Sequence, residues 1–330
     1  MTVINKTENN SITKSSFVFN KKFHRSFRVK ENLIKAFFTF SGATALIFFV
    51  LIFIFLFKEG IKAFIDIGFT DFLYSIRTDI NNISSKVFEW YPTSENGRYS
   101  ILPLILGSLM TAIPATIISS LFGIGAGVYL AEIAHPKIKE FLKPVIELFA
   151  AIPTVVLGFI MLAIGATLFN DIFQPTNRLN ALVAAFALSL VVIPVIASLT
   201  EDAIRSIPLE LRMASYGLGA TKYQTIMKVI LPAAFSGISA SVLLGFGRAV
   251  GETMIVLMVS GNATNFSGDF FASVRTLTAT IAAEMGEVSR GSEHYYALFL
   301  IGMVLFAITF FLNLSAELII NKMRKKNRQL

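Results

Sequence analysis

Long apolar runs, separated by shorter polar segments, dominate the pattern of this chain. The first run, 36–57, reads AFFTFSGATALIFFVLIFIFLF and is flanked by Lys35 and Lys58. Because about 20 apolar residues in a helix span the hydrocarbon core of a bilayer, this run predicts a membrane-spanning helix. The same pattern predicts five further spans, at about 107–130, 144–168, 180–199, 236–259 and 296–319. The predicted fold class is therefore an all-α membrane protein with six transmembrane helices.

Composition and charge support this class. Of the 330 residues, 54% are hydrophobic and only 15% are charged, whereas soluble domains are about 25% charged. The net charge of +8 sits mainly in the two terminal segments, and the chain ends in NKMRKKNRQL. Since Lys and Arg are enriched on the cytoplasmic side of spans, both termini are expected to be cytoplasmic, in agreement with an even number of spans. The expected partner is a lipid bilayer, and no nucleic acid is expected.

These features divide the chain into four segments. Residues 1–35 are predicted to be a flexible basic cytosolic tail, and 36–57 is the first transmembrane helix. Residues 58–100 are predicted to form an external loop whose single Trp, Trp90, lies at the membrane interface. Residues 101–330 are predicted to be a helical membrane core with a cytosolic loop at 200–235. Prolines within its predicted spans indicate kinked helices around a cavity; they are Pro114, Pro144, Pro153 and Pro194.

Several kinds of chemistry are excluded. The chain has no Cys and three scattered His residues, so disulfides, zinc–thiolate sites and iron–sulfur sites are excluded and no metal site is expected. The phosphate-binding motif G-x-x-x-x-G-K-[ST] is absent, and GLGATKY has neither its spacing nor a preceding strand. No catalytic residue and no cofactor are therefore expected on this chain.

The segment 206–238, SIPLELRMASYGLGATKYQTIMKVILPAAFSGI, is the most informative part of the chain. Pro208 opens a short helix, Gly217 and Gly219 interrupt it, and a second helix runs toward Pro232. Amphipathic helices outside the bilayer are unfavourable unless they dock on something, and a groove on a soluble partner is one recurrent solution. A solvated surface loop is the alternative.

This segment resembles the EAA loop of ATP-binding-cassette (ABC) importer permeases. The family pattern is Glu-Ala-Ala, three residues, Gly, nine residues, then Ile-x-Leu-Pro. This chain has Met213-Ala214-Ser215, Gly219 and Val229-Ile230-Leu231-Pro232 at the same spacing. It departs from the pattern at Met213, where the family usually has Glu, and Glu210 lies one turn upstream as a substitute. The resemblance implies that ATPase coupling involves the residues Glu210, Met213, Ala214, Gly219, Leu231 and Pro232.

The resemblance narrows to phosphate importer permeases of the PstC type, with the sister PstA subunit similar as well. It is carried by LPLILGSLMTAIPATIISS at 102–120, PVIELFAAIPTVVLGF at 144–159 and GFGRAVGETM at 245–254. It implies a type I ABC importer permease fold in a prokaryotic plasma membrane. The implied partners are a second, PstA-like permease, two cytosolic ATP-binding subunits and an extracytoplasmic phosphate-binding protein.

Arg248 and Glu252 interrupt the apolar stretch of the fifth predicted span. On one helix they would be i and i+4, stacked on one face, with Arg248 near the bilayer centre. A charge there costs at least about 2.5–3.5 kcal/mol and therefore requires a partner or a function. Three interpretations remain: the two charges neutralise each other and fix packing, Arg248 binds phosphate with Glu252 holding it, or Glu252 gates or carries protons.

Two further residues are weaker candidates for the substrate path. Glu147 is expected near the cytosolic end of the third span, either pairing with a cation in the path or lying at the interface. Thr253 offers a hydroxyl beside Glu252, although a Thr in a spanning helix often bonds its own backbone.

Three other functions stay open at this point. The chain could be a permease for another oxyanion such as molybdate or sulfate, against which the GRA-x-GET stretch argues. A stand-alone secondary transporter or channel would work without an ATPase and would leave the EAA-like loop unexplained. A membrane scaffold or phosphate sensor would tolerate loss of Arg248.

Overall fold

The computed structural model describes residues 21–78, 84–94, 96–264 and 266–327. The chain divides into two units, 1–55 and 56–330. Residues 21–55 of the first unit are helical throughout, and large apolar side chains such as Phe48 and Ile52 are exposed along it. This exposure is typical of a helix that is surrounded by lipid.

Among the described residues, six helices are long and apolar enough to cross a membrane. They are Glu31–Asp66, Leu102–Ile133, Thr154–Phe173, Ala181–Arg205, Lys222–Gly251 and Glu293–Ser315. The predicted all-α class with six spans is confirmed. The bounds of most predicted spans differ from these by several residues, because helices continue past the apolar runs into amphipathic ends.

The first helix, α1 (Lys21–Asp66), is longer than the predicted span 36–57 at both ends. Residues 21–35 of the predicted flexible tail are helical, and 1–20 lie outside the described residues. At the other end, Lys58–Asp66 contains no proline, and Lys62 Nζ pairs with Glu59 Oε2 at 2.9 Å one turn away. Such an i, i+3 pair supports continuation of the helix.

The segment after α1 is folded rather than an open loop. It contains the short helix α2 (Phe69–Leu73) and two antiparallel hairpins, β1 (Ser75–Thr78) with β2 (Ser84–Val87) and β3 (Trp90–Tyr91) with β4 (Arg98–Tyr99). The Trp90 ring is buried and meets the Tyr99 ring edge to face at 5.9 Å. The predicted interfacial position of Trp90 is therefore wrong, because its ring packs inside the protein.

The remaining elements are helical. In chain order they are α3 (Leu102–Val128), α4 (Pro136–Ala151), α5 (Thr154–Ile160), α6 (Ala166–Phe173), α7 (Ala181–Arg205), α8 (Leu209–Gly217), α9 (Lys222–Thr225), α10 (Leu231–Gly251), α11 (Met254–Val259), α12 (Leu277–Glu284) and α13 (Glu293–Asn327). Single π-helical turns follow α3, α5 and α9, at Tyr129–Ile133, Met161–Gly165 and Ile226–Ile230. The first extends α3, and the other two join α5 to α6 and α9 to α10.

The third predicted span, 144–168, is wrong in its position. The helix α4 ends at Ala151, Ile152 and Pro153 are extended, and the spanning helix begins at Thr154. Proline disfavours the helical conformation of the residue before it, which explains the break at Ile152. The helix α4 is amphipathic instead, and it is held against the end of α7 by a 3.0 Å ion pair between Lys139 and Glu201.

The core of the second unit is the packing of α3 against α7. Small buried side chains on α7, such as Ala184 and Ala187, allow the close approach that membrane helices use in place of a hydrophobic driving force. Ser119 Oγ donates across this interface to the Ser189 carbonyl oxygen at 3.1 Å. The helices α10 and α13 pack around this pair.

Two ends of this core have different partners. At the α12 end, the starts of α3 and α7 meet the chain that follows α11, since Leu277 N donates to Ser108 Oγ at 3.0 Å and Ala181 N donates to the Ala272 carbonyl at 3.1 Å. At the opposite end, named here the α8 end, the last residues of α3 and α7 meet α4 and α8.

The contact at the α12 end predicts the effect of Gly107→Ala. A Cβ at Gly107 would overlap the carbonyl oxygen of Arg275, which is backbone and cannot rotate away. We expect a loss of roughly 1–3 kcal/mol in unfolding free energy, measured as a lower melting temperature of the purified protein in detergent. Gly125→Ala on the same helix, where a Cβ meets nothing within 4 Å, is the control. Equal melting temperatures for the two variants would contradict this contact.

Candidate functional site

The helix that carries Arg248 ends before Glu252. Gly251 is the last residue of α10, Glu252 is extended (φ −69°, ψ 134°), and α11 begins at Met254. The prediction of one continuous span over 236–259 is therefore wrong. The prediction that Arg248 lies at the centre of that span is also wrong, because Arg248 lies in the last turn of α10.

The Glu252 carboxylate explains this break. Its Oε1 accepts hydrogen bonds from the backbone N–H groups of Thr253 and Met254, both at 3.1 Å. A carboxylate at a helix start satisfies N–H groups that have no intrahelical partner and favours the positive end of the helix dipole. The Thr278 hydroxyl on α12 donates to the Glu252 carbonyl at 2.8 Å and holds the junction from the other side. Glu252 therefore starts α11 instead of continuing α10.

Arg248 is exposed on the surface of the chain. Among the residues that the structure describes, no carboxylate lies within 4.0 Å of its guanidinium nitrogens and no hydrogen-bond acceptor is in reach. The interpretation in which Arg248 and Glu252 neutralise each other is therefore wrong. What this arrangement offers is a free guanidinium in the last turn of a spanning helix, beside a fixed helix break.

The other two predicted path residues take different positions. Thr253 lies in the junction itself, where its Oγ1 donates to the Gly251 carbonyl at 3.4 Å, so it bonds local backbone. Glu147 is exposed on α4, outside the candidate spans and at the α8 end of the molecule. The prediction that Glu147 is an intramembrane carboxylate of the third span is wrong, because Pro153 separates α4 from that span.

The predicted coupling residues fall into two groups. Glu210, Met213, Ala214 and Gly219 are exposed on or just after α8, with Met213 62% exposed. Leu231 is partly buried against a core cluster of Ile204, Ile226 and Ile230, and Pro232 lies in the first turn of α10. The first group and Pro232 are exposed and can touch another molecule directly, whereas Leu231 anchors the loop to the spans.

The turn after α8 has a defined geometry. Gly219 has φ +81°, Ala220 N donates to the Ser215 carbonyl at 3.2 Å, and Gly219 N donates to the Tyr216 carbonyl at 2.9 Å. This pair of bonds is a Schellman motif, which favours Gly at the left-handed position. Thr221 and Gln224 then form a capping box at the start of α9. The turn is therefore held by backbone hydrogen bonds on both sides of Gly219, and Leu218, 90% exposed, projects at its tip.

The π-helical turn after α9 has a local cause. Leu231 N donates to the carbonyl of Ile226, five residues back, and the next residue, Pro232, has no N–H to donate. A widened turn before the proline changes the hydrogen-bond register while the helix continues into α10. The widened turn before the Leu231-Pro232 pair thus changes the angle about the helix axis by which α10 follows α9.

A cavity at the α12 end was missed by sequence reasoning. It has a volume of about 550 Å³ and is lined by residues that include Tyr91, Asn262, Arg275, Glu284 and His294. On its wall, Glu284 accepts from Arg275 Nη1 at 2.6 Å and from Trp90 Nε1 at 3.0 Å, and its Oε2 lies 2.8 Å from His294 Nε2. Trp90 is 194 positions from Glu284, and Arg275 and His294 are nine and ten positions from it without a common motif, so no local signal indicates that these residues meet.

The Glu284 cluster ties four separate segments together. Burial acts to raise the pKa of Glu284, but the hydrogen bonds from His294 and Trp90 and the charge of Arg275 outweigh it, so that the pKa lies below the ordinary 4.5. The ionised form is therefore favoured by folding. This stabilisation is present above the ordinary pKa and is lost as the pH falls through the lowered value.

We expect Glu284→Gln to lower the unfolding free energy by about 1–3 kcal/mol at neutral pH, since it weakens bonds to a charged acceptor. The difference in melting temperature between wild type and Glu284→Gln should shrink as the pH falls below 4.5. Glu287→Gln, exposed on the same cavity wall, is the control and should leave the melting temperature unchanged. A pH-independent difference for Glu284→Gln would show that its charge contributes nothing.

Comparisons with known proteins agree with this architecture. Residues 123–325 match the family described as binding-protein-dependent transport system inner membrane component. The probable ABC transporter permease protein YqgH of Bacillus subtilis is 36% identical over 263 residues, which cover 79% of this chain and 81% of that protein. The phosphate transport system permease protein PstC of Xylella fastidiosa is 31% identical over 257 residues, 72% of this chain and 78% of that protein.

A solved structure has the same fold. It is a bacterial alginate ABC transporter in complex with an alginate pentasaccharide-bound periplasmic protein, with a TM-score of 0.57, 14% identity, and coverage of 88% of this chain and 96% of that chain. Permeases of this family are multi-pass transport components whose ATPase activity sits on partner chains, and they work with substrate-binding proteins. The chain belongs to the family of inner-membrane permease components of binding-protein-dependent transport systems, with the fold of a type I ABC importer permease.

Proposed function

We propose that this chain is the PstC-type permease of an ATP-driven importer of inorganic phosphate. The observation that carries the proposal is Arg248, a guanidinium on a spanning helix that meets no carboxylate among the described residues. An unpaired charge on a membrane helix is unfavourable against lipid, so it faces a partner subunit or an aqueous path. The PstC relatives, at 31–32% identity, support phosphate as the transported ion.

Arg248 suits an oxyanion for reasons of geometry. Its planar guanidinium can donate two parallel hydrogen bonds to two oxygens of a tetrahedral anion and stays charged at any physiological pH. Glu252 directs its Oε1 into the start of α11, so that carboxylate oxygen does not neutralise Arg248. By fixing the helix break, Glu252 holds the end of α10 in place beside the path. We propose this positioning role for Glu252 in place of a direct ion pair.

The path is expected at an interface between two permeases. Arg248 is exposed in the single chain, so a PstA-like second permease would cover it and supply the opposite wall. Charge selection would come from Arg248, and finer selectivity from the extracytoplasmic phosphate-binding protein. The complex would lie in the plasma membrane of a prokaryote with both termini cytoplasmic, in accordance with the basic C-terminal segment.

Coupling to ATP hydrolysis would use the exposed face of α8. Leu209, Met213 and Leu218 expose apolar side chains on a segment outside the core of the spans, and a docked surface is the usual reason for such exposure. Two cytosolic ATP-binding subunits, which bind ATP and Mg²⁺, would cover these residues. Met213 makes this contact apolar where the family has Glu, and exposed Glu210 leaves one carboxylate for a cation of the partner.

Arg248→Gln tests the substrate path. We expect phosphate uptake by the assembled transporter in proteoliposomes to fall by at least about 100-fold, because the amide carries no charge for the anion. Arg248→Lys should retain partial uptake as a point charge without the planar fork. Uptake of radioactive phosphate, with sulfate and molybdate as competitors, is the measurement.

The matched control for Arg248 is Arg290→Gln. Arg290 is exposed and lies outside the candidate spans, so its change removes the same charge without touching the path. It should transport phosphate at the wild-type rate. Wild-type uptake by Arg248→Gln would refute the role of Arg248, and stronger competition by molybdate or sulfate than by phosphate would refute phosphate as the substrate.

Gly219→Ala tests the coupling loop. A Cβ there meets nothing within 4 Å, so the cost is the left-handed backbone alone, on the order of 1–2 kcal/mol. We expect weaker retention of the ATPase subunit on co-purification and lower uptake. Gly217→Ala, two residues earlier on the helical side and equally free of contacts, is the control and should behave as wild type. Equal retention in both variants would show that the turn is not required for docking.

A further inference from the structure

Arg212 lies on the side of α8 that faces the spans. Its side chain is only 15% exposed, next to Met213 on the outer side. Nη2 pairs with Glu132 Oε1 at 2.9 Å, and Nε donates to the same oxygen at 3.2 Å. Glu132, whose side chain is 10% exposed, belongs to the π-helical turn that ends the second span. One side chain therefore connects α8 directly to the end of α3.

The same guanidinium also binds the end of α7. Nη2 donates to the Ile204 carbonyl at 2.9 Å, and Nη1 donates to the Ile207 carbonyl. Ile204 lies in the last turn of α7, and Ile207 lies in the three-residue link to α8. The bonds of Arg212 thus reach three elements, which the planar guanidinium with its five N–H donors can do and a lysine ammonium cannot reproduce.

The ends of α3 and α7 form one block at this position. Glu201 on α7 is buried and pairs with Lys139 and Lys143 of α4, and Lys139 Nζ also donates to the Leu130 carbonyl at 2.9 Å. α8 is also joined to the spans by the chain link 206–208, by the turn that leads into α9, and by the 2.9 Å hydrogen bond between Ser215 Oγ and Thr225 Oγ1. Chain links allow rotation about their bonds, and the Ser215–Thr225 bond reaches α9, not the ends of α3 and α7. The charged attachment at Arg212 is the contact that fixes the angle of α8 to the block.

We propose that Arg212 is a positioning residue that transmits movement of α8 to α3 and α7, so that ATP hydrolysis is converted into movement of the spans. The inference rests on the coupling role of α8 described above and adds the connection on its inner side. The outer face of α8 holds the ATPase, and the inner face holds the spans through Arg212. Loss of Arg212 separates hydrolysis from transport while the ATPase stays bound.

The test uses the complete transporter in proteoliposomes with its binding protein. Phosphate uptake and ATP hydrolysis are measured on the same vesicles, and ATPase-subunit retention is measured on purified complexes. We expect Arg212→Gln to lower the phosphate transported per ATP by about tenfold, because it removes the charge-assisted bonds that connect α8 to α3. Arg212→Lys should give an intermediate ratio, because it keeps a positive charge beside the Glu132 carboxylate but cannot form the other hydrogen bonds of the guanidinium.

Glu132→Gln tests the same connection from the side of α3. It should lower the ratio in the same direction, and the double variant with Arg212→Gln should be no worse than the more affected single variant, since both remove one interaction. Arg205→Gln is the matched control. It removes a guanidinium from the same end of α7, but its partner Glu201 keeps Lys139 and Lys143, so the ratio should match wild type.

The outcomes separate this inference from the proposed function. Wild-type uptake that does not require ATP would refute the importer itself and the inference with it. ATP-driven wild-type uptake with an unchanged ratio in Arg212→Gln and Glu132→Gln would refute only the role of Arg212. Loss of the ATPase subunit from Arg212→Gln complexes would assign Arg212 to docking and also overturn the inference. If Arg212→Gln fails to fold, Arg212→Lys and Glu132→Gln still decide the question.

Discussion

The close packing of α3 on α7 is the constraint on which the rest of the structure depends. Small side chains on α7 bring the two helices together, and the Ser119–Ser189 hydrogen bond crosses their interface. Each end of this pair then carries the groups that organise its surroundings. At the α8 end these are the carboxylates Glu132 and Glu201, and at the α12 end Ser108 on α3 receives the chain that leads into α12.

This arrangement explains why charge is placed at helix ends and not in helix centres. Glu132 and Glu201 end spanning helices and bind the cations of amphipathic helices, which lie beside the spans. Glu252 precedes a helix, and one of its carboxylate oxygens accepts hydrogen bonds from backbone N–H groups at the start of that helix. Each of these carboxylates has a cation or backbone N–H groups beside it inside the chain, which lowers the cost of its burial. Arg248 differs from them because no such partner reaches it among the described residues, and this difference is the basis for its proposed role in the substrate path.

The two faces of α8 show how one short helix can serve two partners. Met213 and Leu218 on or beside the outer face are free to meet another protein, whereas Arg212 is committed to the spans. The sequence pattern predicted the outer face, since its Gly-to-Leu-Pro spacing resembles a known coupling loop. The pattern did not indicate that Arg212 contacts the spans. Arginines are common on amphipathic helices, and the partner, Glu132, lies 80 positions away in the chain.

The sequence by itself determined the number of spans, the Gly-to-Leu-Pro spacing of the loop after α7 and the placement of Arg248 in a spanning helix, because hydropathy, turn residues and motif spacing are local properties. Only the tertiary structure decided that α4 is separate from the third span, that Glu252 starts α11 instead of pairing with Arg248, and that Trp90, Arg275 and His294 meet at Glu284. Pro153 and the N–H groups next to Glu252 are local, but the sequence equally allows a kinked span and an ion pair with Arg248, and only the packed structure selects between these alternatives. Trp90 lies 194 positions from Glu284, so their contact depends on the approach of distant segments.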